Sequence, residues 1–315
     1  MGNKMSFKIL LNDHHIPHAF SVAECLPEVL FFVTGWNGAF RPLPKNVTKI
    51  SLEESFLAKF DALFEDDFRK DLTKIKANKR VFFYHCEHII GDSSKHEKLK
   101  NILDNQCDAF VFPSPHKKET FGGLSNNKKV CAIDFCYSDS HFRPAVNLGT
   151  VAGSVHNGCD YQKHIAALCE SLSSKIEKFM LIGHANEMSK KFCNVSCPPD
   201  FENFKSELLK LGVFVYLVSG NAFGMSPIEA MLSGIPVVAG LSMDIRSWIK
   251  NGVNCLISPD PSHRASMDSW LAEKAIYLLQ NTEEAIRIGK NGRESILDNC
   301  SPKQIGPLWK RAFGM

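Results

Sequence analysis

The feature that most constrains the fold is the stretch 213–240, in which strand, loop and helix patterns follow one another closely. An apolar, β-branched run over 213–218 predicts a strand, and a glycine-bearing polar loop over 219–225 follows it. A short helix is then predicted over 226–233, before a second strand over 235–238. The residues that suit its N-cap, first helical position and left-handed C′ position are Ser226, Pro227 and Gly234. The loop therefore brings free backbone N–H groups to a helix N-terminus, where a phosphate binds well.

The carboxylate of Glu229 lies within this predicted helix, and two roles are open to it. In the spacing Ser226-x-x-Glu229 it forms a capping box with the Ser226 N–H, which is a structural role. On the same helix it is also placed to contact a ligand held at the helix N-terminus. Local physics alone leaves both roles open.

The wider stretch resembles the donor-binding signature of retaining GT-B glycosyltransferases of the group 1 family. That signature has a Glu, seven residues, a second Glu, an embedded Phe-Gly, and then Ala-Met and a Gly-x-Pro-Val-Val strand. The matching positions in this chain are Phe223-Gly224, Glu229-Ala230-Met231 and Gly234-Ile235-Pro236-Val237-Val238. The resemblance implies a nucleotide diphosphate sugar as co-substrate and no required metal or other cofactor.

The same resemblance implies roles for individual residues. Glu229 is expected to hold the nucleotide ribose. Asn221 stands where the family has its first Glu, near the transferred sugar, so the replacement bears on sugar choice and on catalysis. The backbone expected to meet the diphosphate belongs to Phe223, Gly224, Met225 and Ser226.

Cations for the leaving diphosphate are expected after the first strand of the second half. The family has a Gly-Arg pair there and a Lys several residues later, whereas this chain has Gly153-Ser154 and no Lys before Lys163. We expect backbone donors of Gly153 and Ser154 to contact the phosphates. Lys163 is the candidate catalytic cation, with a plain surface lysine as the alternative, and His156 is a second candidate.

A glycine turn near the nucleotide base is expected after the strand at 179–182. Gly183 is then a wall of the base pocket. His184 is either a ligand contact or a turn residue.

Candidates in the first half follow its predicted strands. His85 resembles the histidine that closes the equivalent strand in many family members, and we expect it near the transferred sugar; capping the strand end is its alternative role. Asp13, His14 and His15 are expected to contact the acceptor, with a plain loop as the alternative. Glu87 is a further candidate carboxylate. No carboxylate or cysteine cluster completes a metal site with these histidines, so none is predicted.

Alternating short apolar runs and helical spacings define the rest of the chain. In the first half, strands are predicted at 7–11, 29–33, 81–84, 109–112 and 130–133, with helical spacing over 57–75 and 95–105. In the second half, further strands are predicted at 146–152, 179–182 and 255–257, with helices at 163–172, 270–280 and 286–297. The expected fold is α/β, GT-B, with two facing Rossmann-like domains and a central cleft.

Domain boundaries follow from where this pattern restarts. We expect an acceptor domain over residues 1–143, a nucleotide-sugar donor domain over 144–300, and a helix over 301–315 that crosses back to the first domain. The linker is predicted at 137–144, where Phe142-Arg143-Pro144 resembles the family's Phe-x-Pro.

Composition and net charge restrict the classes of partner that this protein is expected to bind. The 315 residues carry a net charge of only +3, which argues against a dedicated nucleic-acid binder. Two stretches are rich in basic residues, a cluster from Arg69 to Arg80 and seven lysines over 95–129. They are interpreted either as solvated helix faces or as contacts for a phosphate-rich or membrane-surface acceptor. The eleven cysteines lack metal-site spacing, and we interpret them as reduced, mostly buried thiols. No signal peptide or membrane span is predicted, so the expected location is cytoplasmic.

The function predicted from the sequence is therefore transfer of a hexose or pentose from a nucleotide diphosphate sugar to an acceptor hydroxyl, with retention of configuration. The acceptor, a glycan, lipid-linked sugar, small molecule or DNA, is left open. One alternative is the same chemistry on modified bases of DNA, as in phage DNA glycosyltransferases. The other is a degenerate GT-B binding protein without turnover, which Asn221 and the missing Arg–Lys pair favour.

Overall fold

The computed structural model describes residues 7–12, 16–34, 40–66, 73–84, 97, 100–102, 104–121, 129–140, 142–157, 170, 172, 179–184, 194–216, 224–240, 245–259 and 264–315. The chain divides into two compact units. Unit 1 contains Met1–Gly38, Pro42–Ser138 and Cys300–Met315, and unit 2 contains Ala39–Arg41 and Asp139–Asn299. The tripeptide that ends at Arg41 thus belongs to the unit formed mainly by the second half of the sequence.

Regular structure alternates along the chain. The strands are β1 Lys8–Asn12, β2 Leu30–Val33, β3 Val47–Lys49, β4 Lys59–Glu65, β5 Lys76–Phe83, β6 Ala109–Phe112, β7 Lys129–Ala132, β8 Val151–Asn157, β9 Phe179–His184, β10 Asn194–Ser196, β11 Leu211–Tyr216, β12 Val237–Ala239 and β13 Leu256–Ile257. The helices are α1 Ile16–Cys25, α2 Leu52–Leu57, α3 Pro115–Phe121, α4 Phe201–Leu208, α5 Met225–Leu232, α6 Arg264–Gln280, α7 Thr282–Cys300 and α8 Pro302–Phe313. The described residues between 97 and 105 include further helical turns.

Unit 1 is built on a seven-stranded sheet in the order β3-β2-β1-β4-β5-β6-β7, in which every pairing is parallel. The strand order reverses between β1 and β4, so the connections after these two strands lead away to opposite sides. In an open parallel sheet this reversal is called the switch point. Ligands bind there, beyond the carboxyl ends of the strands.

The C-terminal helix α8 completes the core of unit 1, where it packs against α1, β5 and β6. Trp309 of α8 is buried against two phenylalanines of the sheet, with ring centroids 5.7 Å from Phe64 and 5.9 Å from Phe83. The helix begins and ends where the sequence places it, with Pro302 in the first turn and Gly314 in the left-handed region at φ 79°. Proline and glycine therefore mark its two ends.

The helical spacing assigned to 57–75 is wrong, because Lys59–Glu65 is the central strand β4. Its residues from Ala62 to Phe64 are fully buried, since β4 lies between β1 and β5 and has layers on both faces. A strand buried on both faces reads as a continuous apolar run, which periodicity does not separate from a helix. The short strand β3 is also absent from the sequence interpretation.

The basic cluster at 69–80 is consequently not one helix face. Lys76, Lys79 and Arg80 belong to β5, and Arg80 is half-buried beside Glu65. Residues 67–72 lie outside the described part of the chain.

Unit 2 is built on a six-stranded sheet in the order β10-β9-β8-β11-β12-β13, again with parallel pairings throughout. The order reverses between β8 and β11, so unit 2 has the same kind of switch point as unit 1. Helix α6 packs on β8, β11 and β12 and closes one side of the core, where Leu271, Ala275 and Leu278 meet Val213 and Val215.

The strand predicted at 146–152 begins and ends later than expected, at Val151–Asn157. Gly153 and Ser154 therefore lie within β8 and not in a loop after it. A Cβ at Gly153 would stand 2.7 Å from the Met180 carbonyl oxygen, so close strand packing requires glycine at that position. Likewise Gly183 and His184 end β9, and Gly183 has a positive φ of 116° that favours glycine.

The signature helix also differs at its start. It spans Met225–Leu232, and its N-cap is Gly224, with no side-chain cap hydrogen bond. Ser226 is thus a first-turn residue, and the capping box with Glu229 does not form. Gly234 does adopt the left-handed conformation predicted for it, with φ 74°.

Candidate functional site

The centre of the candidate site is the carboxylate of Glu229, carried by α5 in unit 2. Helix α5 follows β11, the strand at the switch point, so it begins at the carboxyl edge of the sheet, where ligands bind. Glu229 is 3% exposed, and six consecutive residues of the helix around it are buried. A buried carboxylate needs a partner, because removing its charge from water costs several kcal/mol.

That partner is Arg41, whose Nη2 donates a hydrogen bond to Glu229 Oε1. The two residues are 188 positions apart, and the guanidinium side chain is itself only 9% exposed. The guanidinium carbon lies 4.4 Å from the ring centroid of Phe201, in a cation–π contact. The ion pair is therefore held between α5 and the first turn of α4.

Aromatic packing fixes the short segment that carries Arg41. The Phe40 ring contacts Phe201 and Phe204 edge to face, at centroid distances of 6.1 and 5.7 Å. The Phe40 carbonyl accepts a hydrogen bond of 2.7 Å from the Phe201 N–H, and the Phe142 ring also contacts Phe201 edge to face, at a centroid distance of 5.6 Å. Arg41 is consequently a site residue that the sequence interpretation missed. Its own neighbourhood in sequence gives no signal, since the contact joins distant segments.

The start of α5 offers backbone donors beside this carboxylate. The Gly224 N–H donates to the Tyr216 hydroxyl at 2.9 Å, so this donor is already engaged within the protein. Met225 and Ser226 lie in the first turn, where backbone N–H groups have no acceptor inside a helix. Tyr216 ends β11, and its hydroxyl thereby positions the beginning of α5.

The donors predicted at Gly153 and Ser154 are placed differently. Both residues lie inside β8, which is paired with β9 and β11, and Ser154 is buried. Backbone groups within a strand paired on both sides are used in the sheet. The carboxyl end of β8 is Asn157, preceded by His156, and the carboxyl end of β9 is His184; their side chains lie outside the described part of the structure.

Several other predicted site residues lie outside the described residues, and their roles stay predictions. They are Asp13, His14, His15, His85, Glu87, Lys163, Asn221 and Phe223.

A cavity of about 320 Å³ also lies in unit 2, lined in part by Phe142, Arg143, Lys205 and Ser233. The Lys205 ammonium is paired with Glu202 at 2.7 Å. Because none of the residues that line this cavity is an expected donor contact, we place the candidate site at Glu229 and not in the cavity.

Within the described residues, no group of three or more potential metal ligands comes together. The seven described cysteines are free thiols, and five of them are buried. None of the helices in the described ranges combines the length and apolar character needed to cross a bilayer.

The helix that carries Glu229 lies in a segment that matches a known family. Residues 199–295, which contain α4, β11 and α5, match the family described as Glycosyl transferases group 1. Among curated proteins, sucrose synthase 2 of Oryza sativa subsp. japonica is 25% identical over 195 residues, which are 61% of this chain and 23% of that protein. The chain thus spans about a quarter of that relative's length.

Two solved structures share the fold over nearly the whole chain. Sucrose-phosphate synthase from Thermosynechococcus elongatus superposes with a TM-score of 0.71 at 16% identity and covers 98% of this chain and 99% of its own. HepE from Anabaena, in complex with UDP and glucose, superposes with a TM-score of 0.68 at 13% identity, covering 98% and 99%. The predicted α/β fold with two Rossmann-like units of the GT-B type is confirmed.

Proposed function

We propose that this protein transfers a sugar from a nucleoside diphosphate sugar to an acceptor hydroxyl, with retention of configuration. The observation that carries the proposal is the buried Glu229 carboxylate, held by Arg41 at the carboxyl edge of the unit 2 sheet within the matched region 199–295. HepE, which shares the fold, was solved with UDP-glucose as well as with UDP and glucose. These complexes of HepE make a uridine nucleotide the first donor to test.

In the proposed complex, Glu229 accepts hydrogen bonds from the ribose hydroxyls. Arg41 neutralises part of its charge and fixes its orientation, so the carboxylate is in place before the donor binds. The diphosphate contacts the first-turn N–H groups of Met225 and Ser226, where the helix dipole favours negative charge. His85, Lys163 and Asn221 keep the roles proposed from the sequence.

The proposed reaction breaks the bond between the sugar C1 and the diphosphate oxygen and forms a bond from C1 to the acceptor oxygen. The acceptor hydroxyl loses its proton to the released diphosphate on the same face. Positioning and stabilisation of the developing phosphate charge supply the catalysis.

One observation favours a second candidate, a protein that binds the nucleotide without turnover. Gly153 and Ser154 lie inside β8 and the Gly224 N–H is engaged by Tyr216, so three of the expected phosphate donors have other uses. With Ser154 in place of the family's Arg, the described residues offer less positive charge to the leaving group than the family pattern implies.

The experiment that tests the proposal is calorimetry with UDP and UDP-glucose on the wild type and on Glu229→Gln. The glutamine keeps an acceptor for Arg41 but removes the charge. We expect UDP to bind the wild type and to bind the variant about tenfold to hundredfold more weakly, because a charge-assisted hydrogen bond contributes about 1.5–3 kcal/mol. Glu202→Gln, an exposed position on α4, is the matched control and should leave binding unchanged.

Turnover separates the two candidates. Release of UDP from UDP-glucose in the presence of sugar acceptors supports the transferase, and the anomeric proton signal of the product reports retention or inversion. Binding without any release of UDP supports the second candidate. If neither UDP nor UDP-glucose binds, or if Glu229→Gln binds as tightly as the wild type, Glu229 does not form a uridine-nucleotide site.

A further inference from the structure

Exposed lysines lie at the amino edge of the unit 1 sheet. Lys59 begins β4 and Lys76 begins β5, and the two residues are direct partners in the parallel pairing of these strands. Lys74 precedes β5 by two residues, and all three residues are exposed. They form what we call the lysine edge. Because neighbouring strands of this sheet run parallel, the lysine edge is opposite the carboxyl edge, where a ligand of unit 1 is expected.

The charges of the lysine edge are not neutralised by neighbouring carboxylates. Adjacent strands are about 4.8 Å apart, so the partners Lys59 and Lys76 place two positive side chains next to each other. Within the described part of the chain, no ion pair engages either of them or Lys74. Asp61 of β4 accepts a hydrogen bond of 2.8 Å from the backbone N–H of Lys8. Repulsion between these lysines disfavours their placement in the isolated protein, and a negatively charged partner would remove it.

Apolar side chains are exposed at the same edge. Leu57 is the last residue of α2, two positions before Lys59, and it is 85% exposed. Leu30 begins β2 and is 41% exposed. The acids of α2, Glu53 and Glu54, lie in its first turn, at the end away from Leu57. A leucine surrounded by water gains free energy when an apolar phase covers it.

We propose that unit 1 docks on an anionic lipid bilayer through the lysine edge, with Leu57 inserted between the headgroups. Lysines near a negatively charged lipid surface are attracted to it. An apolar side chain that enters the boundary between headgroups and acyl chains adds the burial of apolar area. A nucleic acid matches the lysines but offers no apolar phase to the leucine, so the bilayer accounts for both observations. This inference is independent of the proposed transfer reaction.

Docking at the lysine edge also determines which part of unit 1 faces water. Strand β5 has eight residues and begins at this edge. A strand rises about 3.3 Å per residue, so the carboxyl edge lies roughly 25 Å away from the lysine edge. The switch point between β1 and β4 is then directed away from the bilayer. A ligand of unit 1 is therefore expected to arrive from the aqueous side.

Co-sedimentation of the full chain with lipid vesicles tests the proposal. The probes are vesicles of phosphatidylcholine with phosphatidylserine, and vesicles of phosphatidylcholine alone. We expect binding to the first kind that weakens as the NaCl concentration rises, and little binding to the second. The triple variant Lys59→Gln/Lys74→Gln/Lys76→Gln should bind about a hundredfold more weakly, because each lysine near an anionic surface contributes about a fivefold factor.

Matched variants in unit 2 control for charge and for apolar exposure. The triple variant Lys210→Gln/Lys250→Gln/Lys290→Gln removes the same charge from exposed positions and should bind as the wild type does. Leu57→Ser should bind about tenfold more weakly, because the inserted side chain loses its apolar burial. Val146→Ser, at a position that is 96% exposed, should leave binding unchanged.

Three results would overturn the proposal. The first is no binding to vesicles that contain phosphatidylserine. The second is an equal loss in the two triple variants, which would show a response to net charge alone. The third is Leu57→Ser binding as tightly as the wild type, or binding of duplex DNA without binding of vesicles. Melting temperatures equal to that of the wild type establish that the variants are folded. Failure of this proposal leaves the proposed function standing, because binding of UDP tests that separately.

Discussion

At the scale of single residues, this chain pairs buried carboxylates with arginines that come from other segments. Glu229 is held by Arg41 in unit 2, and Glu65 is held by Arg80 in unit 1, with Oε1 and Nη1 3.1 Å apart. Burial is the larger effect at Glu65, since it raises the pKa of that carboxyl from 4.5 to about 7 despite the positive charge of Arg80. Proximity of opposite charges thus offsets desolvation only in part.

The free energy of unfolding of this protein should depend on pH through the Glu65 carboxyl group. Because the folded state binds the Glu65 proton more tightly than the unfolded state, the free energy of unfolding contributed by this group falls as pH rises from about 4.5 to about 7. Glu65→Gln should remove this fall, which is at most about 3 kcal/mol. Urea unfolding of both proteins between pH 4 and 8 measures the difference. The exposed Glu53→Gln should follow the wild type, and an unchanged slope in Glu65→Gln would refute the assignment.

At the scale of elements, contacts between backbones determine where α5 and α7 meet. Gly289 of α7 lies against the C-terminal end of α5, and a Cβ at that position would stand 2.0 Å from the Gly234 carbonyl oxygen. Gly234 is the left-handed residue after α5, so the end of one helix is fitted to a glycine of another. The absence of a side chain at Gly289 therefore allows these two helices to approach this closely.

Gly289→Ala should destabilise the protein by about 1–3 kcal/mol through overpacking. Helix propensity alone predicts the opposite sign, because alanine in a helix interior is favoured over glycine by about 1 kcal/mol. The midpoint of urea unfolding distinguishes the two. Lys290→Ala, at the exposed neighbouring position, is the control and should change stability little. A stabilised Gly289→Ala protein would show that α7 shifts at no cost.

At the scale of the whole molecule, each unit has its own sheet and core, yet neither is a continuous piece of sequence. Unit 1 takes α8 from the C-terminus, and unit 2 takes Arg41 from the first half of the chain. Trp309 of α8 is 2% exposed and contacts Phe64 and Phe83 in the centre of unit 1. The end of the chain is thus part of the core formed by its beginning.

Trp309→Ala should destabilise unit 1 by about 3–5 kcal/mol, the usual cost of removing a buried large aromatic side chain. Hydrogen exchange should show lost protection in β4, β5 and α1, while β11 and β12, which have a separate core, keep theirs. Trp309→Phe should be milder, because among the described residues the indole N–H has no hydrogen-bond partner to lose. Equal loss of protection in both units would contradict separate cores.

The sequence by itself determined the features that depend on neighbours along the chain. Strand Ala109–Phe112, helix Pro302–Phe313 and the left-handed Gly234 all lie where local pattern places them. Periodicity, proline and glycine act within a few residues, so they can be read directly. The α/β class follows from the same local signals, because their alternation leaves parallel sheets as the way to bury every apolar run.

Only the tertiary structure decided the rest. Lys59–Glu65 is a strand because two neighbouring strands and layers on both faces bury it, although its apolar run also suits a helix. Glu229 meets Arg41 across 188 positions and His18 meets Asp66 across 48, and no local spacing specifies either contact. The physical reason is that a buried charge is costly unless an opposite charge or a hydrogen-bond partner lies beside it. Tertiary packing determines which residue that partner is, and distance along the sequence does not.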